Sequence, residues 1–479
     1  MLSCGINRGG TNFLSNVNVD VLHWGAFDGI LLLPASENNT VNLKDRKIVI
    51  GLLTAVMTAA SCNLSTCAAD SSTSRHNQVS GRKIAAAPAE SEPIKIGFVT
   101  SQTGAAAPSA RYNVNGIELW LEQIHHRIAG RKVELLIEND ESSPATMKAK
   151  VRKLIEEDKV QIIDGFVLAN VGYAAAPLAD HYQIPFVYTT AASDDLTQRQ
   201  HFNWIVRTGW TSSQPTQPFG DYAYKKLGYR RIATLGMDYA FGYEQVGGFQ
   251  RAFEDAGGKV IQKIWAPLGF QDFTSFIKDI HKDADAVFIC TFGRAAEIFP
   301  KQYKDVGPKL PLLAGGSAFD ESILDTLGDE AVGALSSLSY SAVLTNPANK
   351  KLAAAYRAKY NEEPNWYSDT GYTSGLFIQQ AIESLHGDTS DKAKLLAALK
   401  KVELKEAPRG PVKLDNHANP IENVYVRRVE RKNGKLQNTV VDTFPMVSQF
   451  YKWPEAEFLA QPVYSKDYPP CKYCATPSK

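Results

Sequence analysis

The chain carries no excess of either charge: 52 lysines and arginines stand against 51 acidic residues over 479 positions. Nothing is left over to hold a phosphate backbone or an anionic membrane surface. Phosphate-cradling loops are missing as well, since neither Gly-x-x-x-x-Gly-Lys-Ser/Thr nor a Gly-x-Gly-x-x-Gly following a strand occurs. Cysteine is scarce and peripheral. Cys4, Cys62, Cys67, Cys471 and Cys474 lie towards the ends, and only Cys290, in Ala286-Val-Phe-Ile-Cys290, is central. The folded body therefore owes nothing to disulfides, and Cys290 reads as a small buried apolar residue. Cys471-Lys-Tyr-Cys474 has metal-ligand or redox spacing, but without a second pair or a nearby histidine it reads as a terminal disulfide or as two idle thiols. Histidines are scattered, and the one adjacent pair, His125-His126, points to different parts of a helix surface. No metal and no cofactor is expected.

What is present begins with an export signal in an unusual place. Lys44-Asp45-Arg46-Lys47 leads into the apolar run Ile48 to Ala60, which is too short to span a bilayer and is followed by small residues. The expectation is a signal peptide over 44–69, with 1–43 a gene-model extension or disordered segment. Cleavage before Cys62, before Cys67 or after Ala69 fits, and the first two would permit a lipid anchor. Residues 70–92, rich in Ser, Ala and basic side chains, read as a disordered tether.

From Ile94 onward, β-branched runs alternate with helical periodicities, the pattern of parallel sheets wrapped by helices. Strands are expected at 94–100, 132–139, 161–167 and 185–190, with helices between them. A second series follows, with strands at 231–236, 259–266, 284–291 and 310–314. At 44% apolar residues the chain has material for more than one core. Helices then return at 347–360, 370–385 and 391–401 without parallel strands of their own, so they must cover sheets already built. A hairpin turning at Asn433-Gly434 closes the series. Two doubly wound parallel-sheet lobes joined by several crossings make a hinged cleft, and ligands bind where the carboxyl ends of strands face a crevice.

Catalytic constellations are weak. Gly315-Gly316-Ser317-Ala318-Phe319 lacks the closing glycine of a nucleophile elbow, and nothing pairs Ser317 with a histidine and an acid. The acid pairs Asp140-Glu141 and Asp194-Asp195 follow strands and read as solvated turn or cap groups. Binding without catalysis is the simpler account, with an extracytoplasmic sensor module and an exported hydrolase as the competing readings.

Taken together, Ile94-Lys-Ile-Gly-Phe-Val-Thr-Ser-Gln-Thr-Gly104, Asn115-Gly116-Ile-Glu-Leu, Pro185-Phe-Val-Tyr-Thr-Thr-Ala-Ala-Ser193 and Asp238-Tyr-Ala-Phe-Gly242 resemble the periplasmic solute-binding proteins of branched-chain amino-acid-type ABC transporters. The resemblance implies a type I periplasmic binding fold, with lobe one from 93–210 plus 341–423, lobe two from 211–340 plus 424–450, and a C-terminal extension over 451–479. It also implies a monomeric receptor in the periplasm whose partners are a membrane permease and an ATPase, and which does no chemistry.

Carried over by position, the ligand site would include Ser101, Gln102 and Thr103 after the first strand, Ala169 and Asn170 after the third, and Ala191 and Ser193 in the following turn. Backbone amides there, with the Ser193 hydroxyl, would hold a carboxylate. Lobe two would add Tyr239, Phe241, Phe292 and Arg294, with Trp210, Ser317 and Phe319 near other strand ends. Tyr367 and Tyr372 are further ring candidates. Amino-acid binders of the family take the ligand ammonium with an acid near the position of Ser317; here that acid is missing, with Asp320 the nearest substitute. An aromatic or aliphatic carboxylate without an amine is therefore the expected cargo.

Overall fold

The computed structural model describes residues 92–474 apart from Ala105 and His201. The expected upstream extension, the export signal with its lipidation cysteines, and the tether up to Ser91 lie outside the described residues. Lobe one begins with β1 (Ile94–Thr100), α1 (Ala107–Gln123), β2 (Arg127–Ile128), β3 (Arg131–Asn139), α2 (Pro144–Glu156), β4 (Ile162–Gly165), α3 (Ala169–Tyr182), β5 (Phe186–Tyr188) and β6 (Ile205–Arg207). Strands β3-β1-β4-β5-β6 lie parallel in that order, with β2 antiparallel at the edge. β1 is buried at all but one position, which is why Ile-Lys-Ile-Gly-Phe-Val-Thr reads as a near-continuous apolar run. The order reverses between β1 and β4, so the loops after these strands flank the crevice where ligands bind in open α/β sheets.

Lobe two repeats the plan with α4 (Thr216–Lys225), β7 (Arg231–Met237), α5 (Ala240–Asp255), β8 (Lys259–Ala266), α6 (Thr274–Lys278), β9 (Ala286–Cys290), α7 (Arg294–Val306), β10 (Leu312–Gly315), α8 (Glu321–Leu324) and β11 (Leu335–Leu338). Its parallel strands run β8-β7-β9-β10-β11 across the sheet. Cys290 ends β9 fully buried with a free thiol.

The chain then returns through α9 (Pro347–Tyr360), α10 (Trp366–Ser384) and α11 (Lys392–Leu399), which pack on lobe one. Helix α10 starts at a capping box in which Asn365 and Ser368 satisfy each other's backbone N–H groups. It crosses α1 at unusually close range. A Cβ on Gly116 would strike the Ser368 carbonyl, and one on Gly371 would strike that of Asn113, so glycine at both positions lets the helix backbones touch.

Strands β12 (Glu403–Ala407), β13 (Gly410–Leu414), β14 (Pro420–Lys432) and β15 (Lys435–Val447) finish the second sheet. The hairpin β14–β15 turns at Asn433 and Gly434, both at positive φ, where the sequence places the turn. β14 is shared. Its first residues pair with β13 and residues 425–428 pair antiparallel with β11. Thus β12 and β13 join the lobe-two sheet by hydrogen bonding, while Leu404, Ala407 and Val412 pack into the lobe-one core. After β15 the chain runs over lobe two through α12 (Glu455–Leu459). There Trp453 bonds Asp255, Gln250 and Lys263 donate to the carbonyls of Pro470 and Pro469, and Cys471 and Cys474 form a disulfide.

Three segments cross between the lobes, and each is held by an arginine with no more than 1% of its surface exposed. Arg207 donates to the carbonyls of Ala191, Ser193 and Trp210 at 2.7–3.0 Å. Arg427, on β14, donates to those of Tyr340 and Gly316 at 2.8 and 2.9 Å. Arg409 donates to the Thr208 carbonyl and lies 3.3 Å from Asp369 and 3.2 Å from Glu422. These last two are contacts of charge rather than aligned hydrogen bonds. Burial pushes Asp369 up to about 6 and Glu422 up to about 7, while Arg409 pulls both down.

Arg409→Met should leave two buried carboxylates without a counter-charge and cost about 3–5 kcal/mol in urea denaturation at pH 8. The sign of the pH effect follows from the raised values. Acids that keep their protons in the fold, but lose them unfolded near pH 4, destabilise progressively as pH rises. The loss should therefore shrink at pH 5. An equal loss at both pH values would show that the carboxylates are not what Arg409 serves.

Candidate functional site

The carboxyl ends of the two sheets face each other across a narrow cleft, in which the space not filled by atoms is about 450 Å³, open solvent included, and only about 40 Å³ admits the centre of a water-sized sphere. Lobe one lines it from the junction of β1 with α1 (Ala106, Ser109), the junction of β4 with α3 (Val167, Leu168, Ala169) and the loop after β5 (Thr190, Ala192). Lobe two contributes Tyr239 and Phe241 after β7, Phe292 after β9 and Ser317 after β10. Trp210, on the first crossing, and Trp366 and Tyr367, at the start of α10, complete the wall.

The rings form one unbroken chain. Phe292 meets Tyr239 and Phe241 at 6.1 and 5.9 Å between centroids, and Phe241 meets Trp210 at 6.0 Å. Trp210 meets Trp366 at 4.5 Å, and Trp366 meets Tyr367 at 5.3 Å. All are tilted or edge-on, the arrangements that the ring quadrupole favours. Both indoles are pinned from behind, with Trp210 Nε1 donating to the Thr190 carbonyl at 3.3 Å and Trp366 Nε1 to Ser339 Oγ at 3.2 Å.

Among the described residues, no acidic or basic side chain lines the cleft. Polarity comes instead from hydroxyls and from two helix starts. Neither α1, capped by Ala106, nor α3, capped by Leu168, has a side-chain hydrogen bond at its N-cap. In α1 the Ala107 N–H already donates to the Gly104 carbonyl at 3.3 Å and Pro108 has none, so the free donors sit mainly at the start of α3, whose first N–H groups have no intrahelical acceptor and present the positive end of the helix dipole to the cavity. Asp320 is occupied elsewhere, with Oδ1 accepting from Ser322 N–H at 3.0 Å and Oδ2 from Trp366 N–H at 3.2 Å. Such a cavity suits a flat apolar body with an anionic end.

Comparison with known proteins agrees with this geometry. The model of the family described as periplasmic binding protein matches residues 93–435, well over half of the chain. The chain belongs to this family. Its type I fold recurs in an ABC transporter substrate-binding protein from Sphaerobacter thermophilus, 32% identical, covering 75% of this chain and 99% of that one with a TM-score of 0.72. A solute-binding protein of an ABC transporter from Rhodopseudomonas palustris BisB5, solved in complex with 3,4-dihydroxy benzoic acid, is 31% identical over 74% of this chain and 98% of its own, with a TM-score of 0.70. Among curated proteins, Leu/Ile/Val-binding protein homolog 6 of Brucella abortus (strain 2308) is 28% identical over 371 residues, 75% of this chain and 94% of that protein.

Within this periplasmic binding protein, the structure brings Ala169, Trp210, Tyr239, Phe241, Phe292 and Ser317 together at the cleft. The other expected site residues lie elsewhere, each for a visible reason. Ser101 is buried and donates to Asp140 Oδ1 at 2.6 Å, while Gln102 and Thr103 are exposed, with Thr103 tied to Asn139. Asn170 projects from α3 into solvent. Ala191 packs in the lobe-one core, and Phe319 is buried in that of lobe two. The Ser193 hydroxyl donates to the Ala169 carbonyl at 3.2 Å, so it steadies the start of α3. Arg294 opens α7 with its side chain 69% exposed and paired to Glu297.

The acid pairs expected as solvated groups are largely buried instead. Asp140 caps its own turn by accepting from Ser101 and from Ser142 N–H. Asp194 accepts from Ser213 N–H and donates its own N–H to Glu244 Oε1 at 3.1 Å, beneath the cleft floor. Burial pushes Asp194 up to about 6 and, together with the Asp194 charge, pushes Glu244 well above its usual range.

Sequence reasoning missed Ala106, Ser109, Val167, Leu168, Thr190, Ala192 and Trp366, and it held Tyr367 only as a further candidate. For Trp366 and Tyr367 a signal existed: Asn365-Trp-Tyr-Ser368 is an N-cap signature that brings two rings into a helix's first turn.

The loop bearing Val167–Ala169 leaves β4 through Asp164, Gly165 and Phe166, the last two at φ 115° and 65°. Asp164 is fully buried, accepting from Gly165 N–H at 2.7 Å and from Ser374 Oγ at 2.8 Å, with burial pushing it up to about 7. The folded chain thus keeps this proton up to near neutrality, while the unfolded chain loses it near pH 4, so rising pH subtracts stability across that window. Asp164→Asn can donate to Ser374 Oγ, whose proton has the Gly371 carbonyl as acceptor at 2.9 Å. In thermal melts, the variant should exceed the wild type by a few degrees at pH 8 and match it near pH 4.5. A difference that does not vary with pH would show that Asp164 is not a neutral acid in the fold.

Proposed function

We propose that this protein is the extracytoplasmic receptor of an ABC importer, which closes its two lobes around a small aromatic carboxylate and delivers it to a membrane permease with its ATPase. The observation that carries the ligand class is the six-ring wall of a cleft lined, among the described residues, by no acid. An α-amino acid would bring an ammonium into this space. Left without a counter-charge, it would cost several kcal/mol, comparable to the difference between micromolar and millimolar binding. A carboxylate instead meets N–H groups at helix starts, where charge-assisted hydrogen bonds contribute roughly 1.5–3 kcal/mol each. The relative solved with 3,4-dihydroxy benzoic acid supports the same class.

Binding rather than turnover fits Ser317. Its Oγ donates to the Thr291 carbonyl at 3.1 Å, and among the described residues neither histidine nor cysteine lines the cleft to activate it. Export to the periplasm fits the family and the signal-like run before the folded body.

Trp210 and Trp366 make the cleft a built-in fluorescence reporter. Benzoate, hydroxybenzoates and cinnamate should each change the tryptophan emission and raise the melting temperature, by an amount equivalent to about 2.7 kcal/mol at a hundredfold excess over Kd. Leucine and isoleucine should do neither. A clear response to leucine, with none to any amine-free acid, would overturn the proposal.

A further inference from the structure

Outside the helix starts, hydrogen-bonding groups in the cleft are few, and two of them stand on the lobe-two wall among phenylalanines. Tyr239 follows β7 and Ser317 follows β10, with β9 between these strands. Two interstrand steps separate them by about 10 Å, a gap that a tyrosine side chain largely crosses. The Tyr239 ring is fixed between Phe241 at 6.0 Å and Phe292 at 6.1 Å. Its hydroxyl has no hydrogen-bond partner among the described residues, and burial holds the phenol well above its usual range, so it stays a proton donor. Ser317 is complementary. Its proton is committed to the Thr291 carbonyl at 3.1 Å, which leaves its oxygen as an acceptor facing the cavity.

A donor without an acceptor and an acceptor without a donor, on one wall, match a group that does both. Carboxylates only accept and ammonium groups only donate; a hydroxyl gives one proton and takes one. Resting on the reading of the cleft as an aromatic-acid site, we propose that lobe two selects a ring hydroxyl at the end of the ligand away from its carboxylate, with Ser317 Oγ accepting its proton and Tyr239 O–H donating to its oxygen. Lobe one then holds the anion and lobe two reads the substituent, so a hydroxylated ligand links both lobes in the closed state. Sites built to pair a ligand hydroxyl reject the analogue lacking it more strongly than apolar pockets reject a missing methylene.

Titration calorimetry on the full chain tests this with 3- and 4-hydroxybenzoate against the 3- and 4-methylbenzoates, which keep the shape and remove the hydrogen bonds. One hydroxybenzoate should bind at least tenfold tighter than its methyl counterpart. In Tyr239→Phe and in Ser317→Ala, that ratio should fall below about threefold. Methyl analogues that bind as tightly as the hydroxylated acids would overturn the inference while leaving the aromatic-acid reading intact. A ratio that survives both substitutions would remove these residues from the role. Failure of every aromatic acid to bind would overturn both readings together.

Discussion

Three guanidiniums with almost no access to water set the terms on which the two lobes are joined. A buried arginine does not shed its proton, so each must be surrounded by acceptors or the fold loses several kcal/mol. Arg207, Arg409 and Arg427 take most of theirs from main-chain carbonyls at 191, 193, 208, 210, 316 and 340. Those carbonyls lie in the segments that leave one lobe for the other, or in loops at the carboxyl ends of the strands. Backbone that would otherwise be under-bonded is thereby held by side chains that cannot relax into solvent. Arg409 binds the first crossing to α10 and to β14, and Arg427 binds β14 to the second. The crossings are consequently stapled to one another as well as to the sheets.

The cleft inherits this constraint through its rings. Trp210 stands three residues beyond Arg207 and offers it a carbonyl, while Trp366 donates to Ser339 on the second crossing. The aromatic chain thus starts on lobe two at Phe292 and ends on hinge residues. A body seated against these rings presses on the same segments that the guanidiniums hold. The C-terminal segment adds a further tie. Arg199, in the loop before the first crossing, donates to the carbonyls of Phe458 and Gln461. Motion at the hinge is therefore limited to rearrangements that keep these donors supplied.

Sheets and helices were legible because parallel strands buried on both faces read as apolar runs, and because the alternation restarts once. The hairpin turn was legible from Asn433-Gly434 alone. Less legible was β14, whose two ends pair with different strands on one edge, since nothing in a 13-residue run marks where its partner changes. In the site, the rings after strand ends could be read because position along a strand decides which lobe face a residue meets. The polar candidates failed more often. Ser101 and Ser193 have residue types suited to ligands, yet each is taken by a hydrogen bond that only the folded loop reveals. Ser109, Thr190 and Trp366 reach the cleft by helix phase and by long-range return of the chain, which no short window contains.

The acids near the cleft explain its neutrality better than their absence would. Asp194, Glu244 and Asp320 all lie close behind the wall, but each is turned to backbone N–H groups: Ser213 for Asp194, Asp194 for Glu244, Ser322 and Trp366 for Asp320. Their carboxyl oxygens are spent on organising loops. The same logic applies at the start of α3, where an aspartate or serine at the N-cap would cover the free N–H groups. Leu168 covers none of them, and Ser193 braces the adjacent carbonyl instead. With side-chain charge withheld from the wall and backbone donors left bare, the field inside is that of oriented peptide dipoles. Such a field favours an anion on lobe one without requiring a buried cation, which in this low-dielectric space would need an acceptor shell of its own.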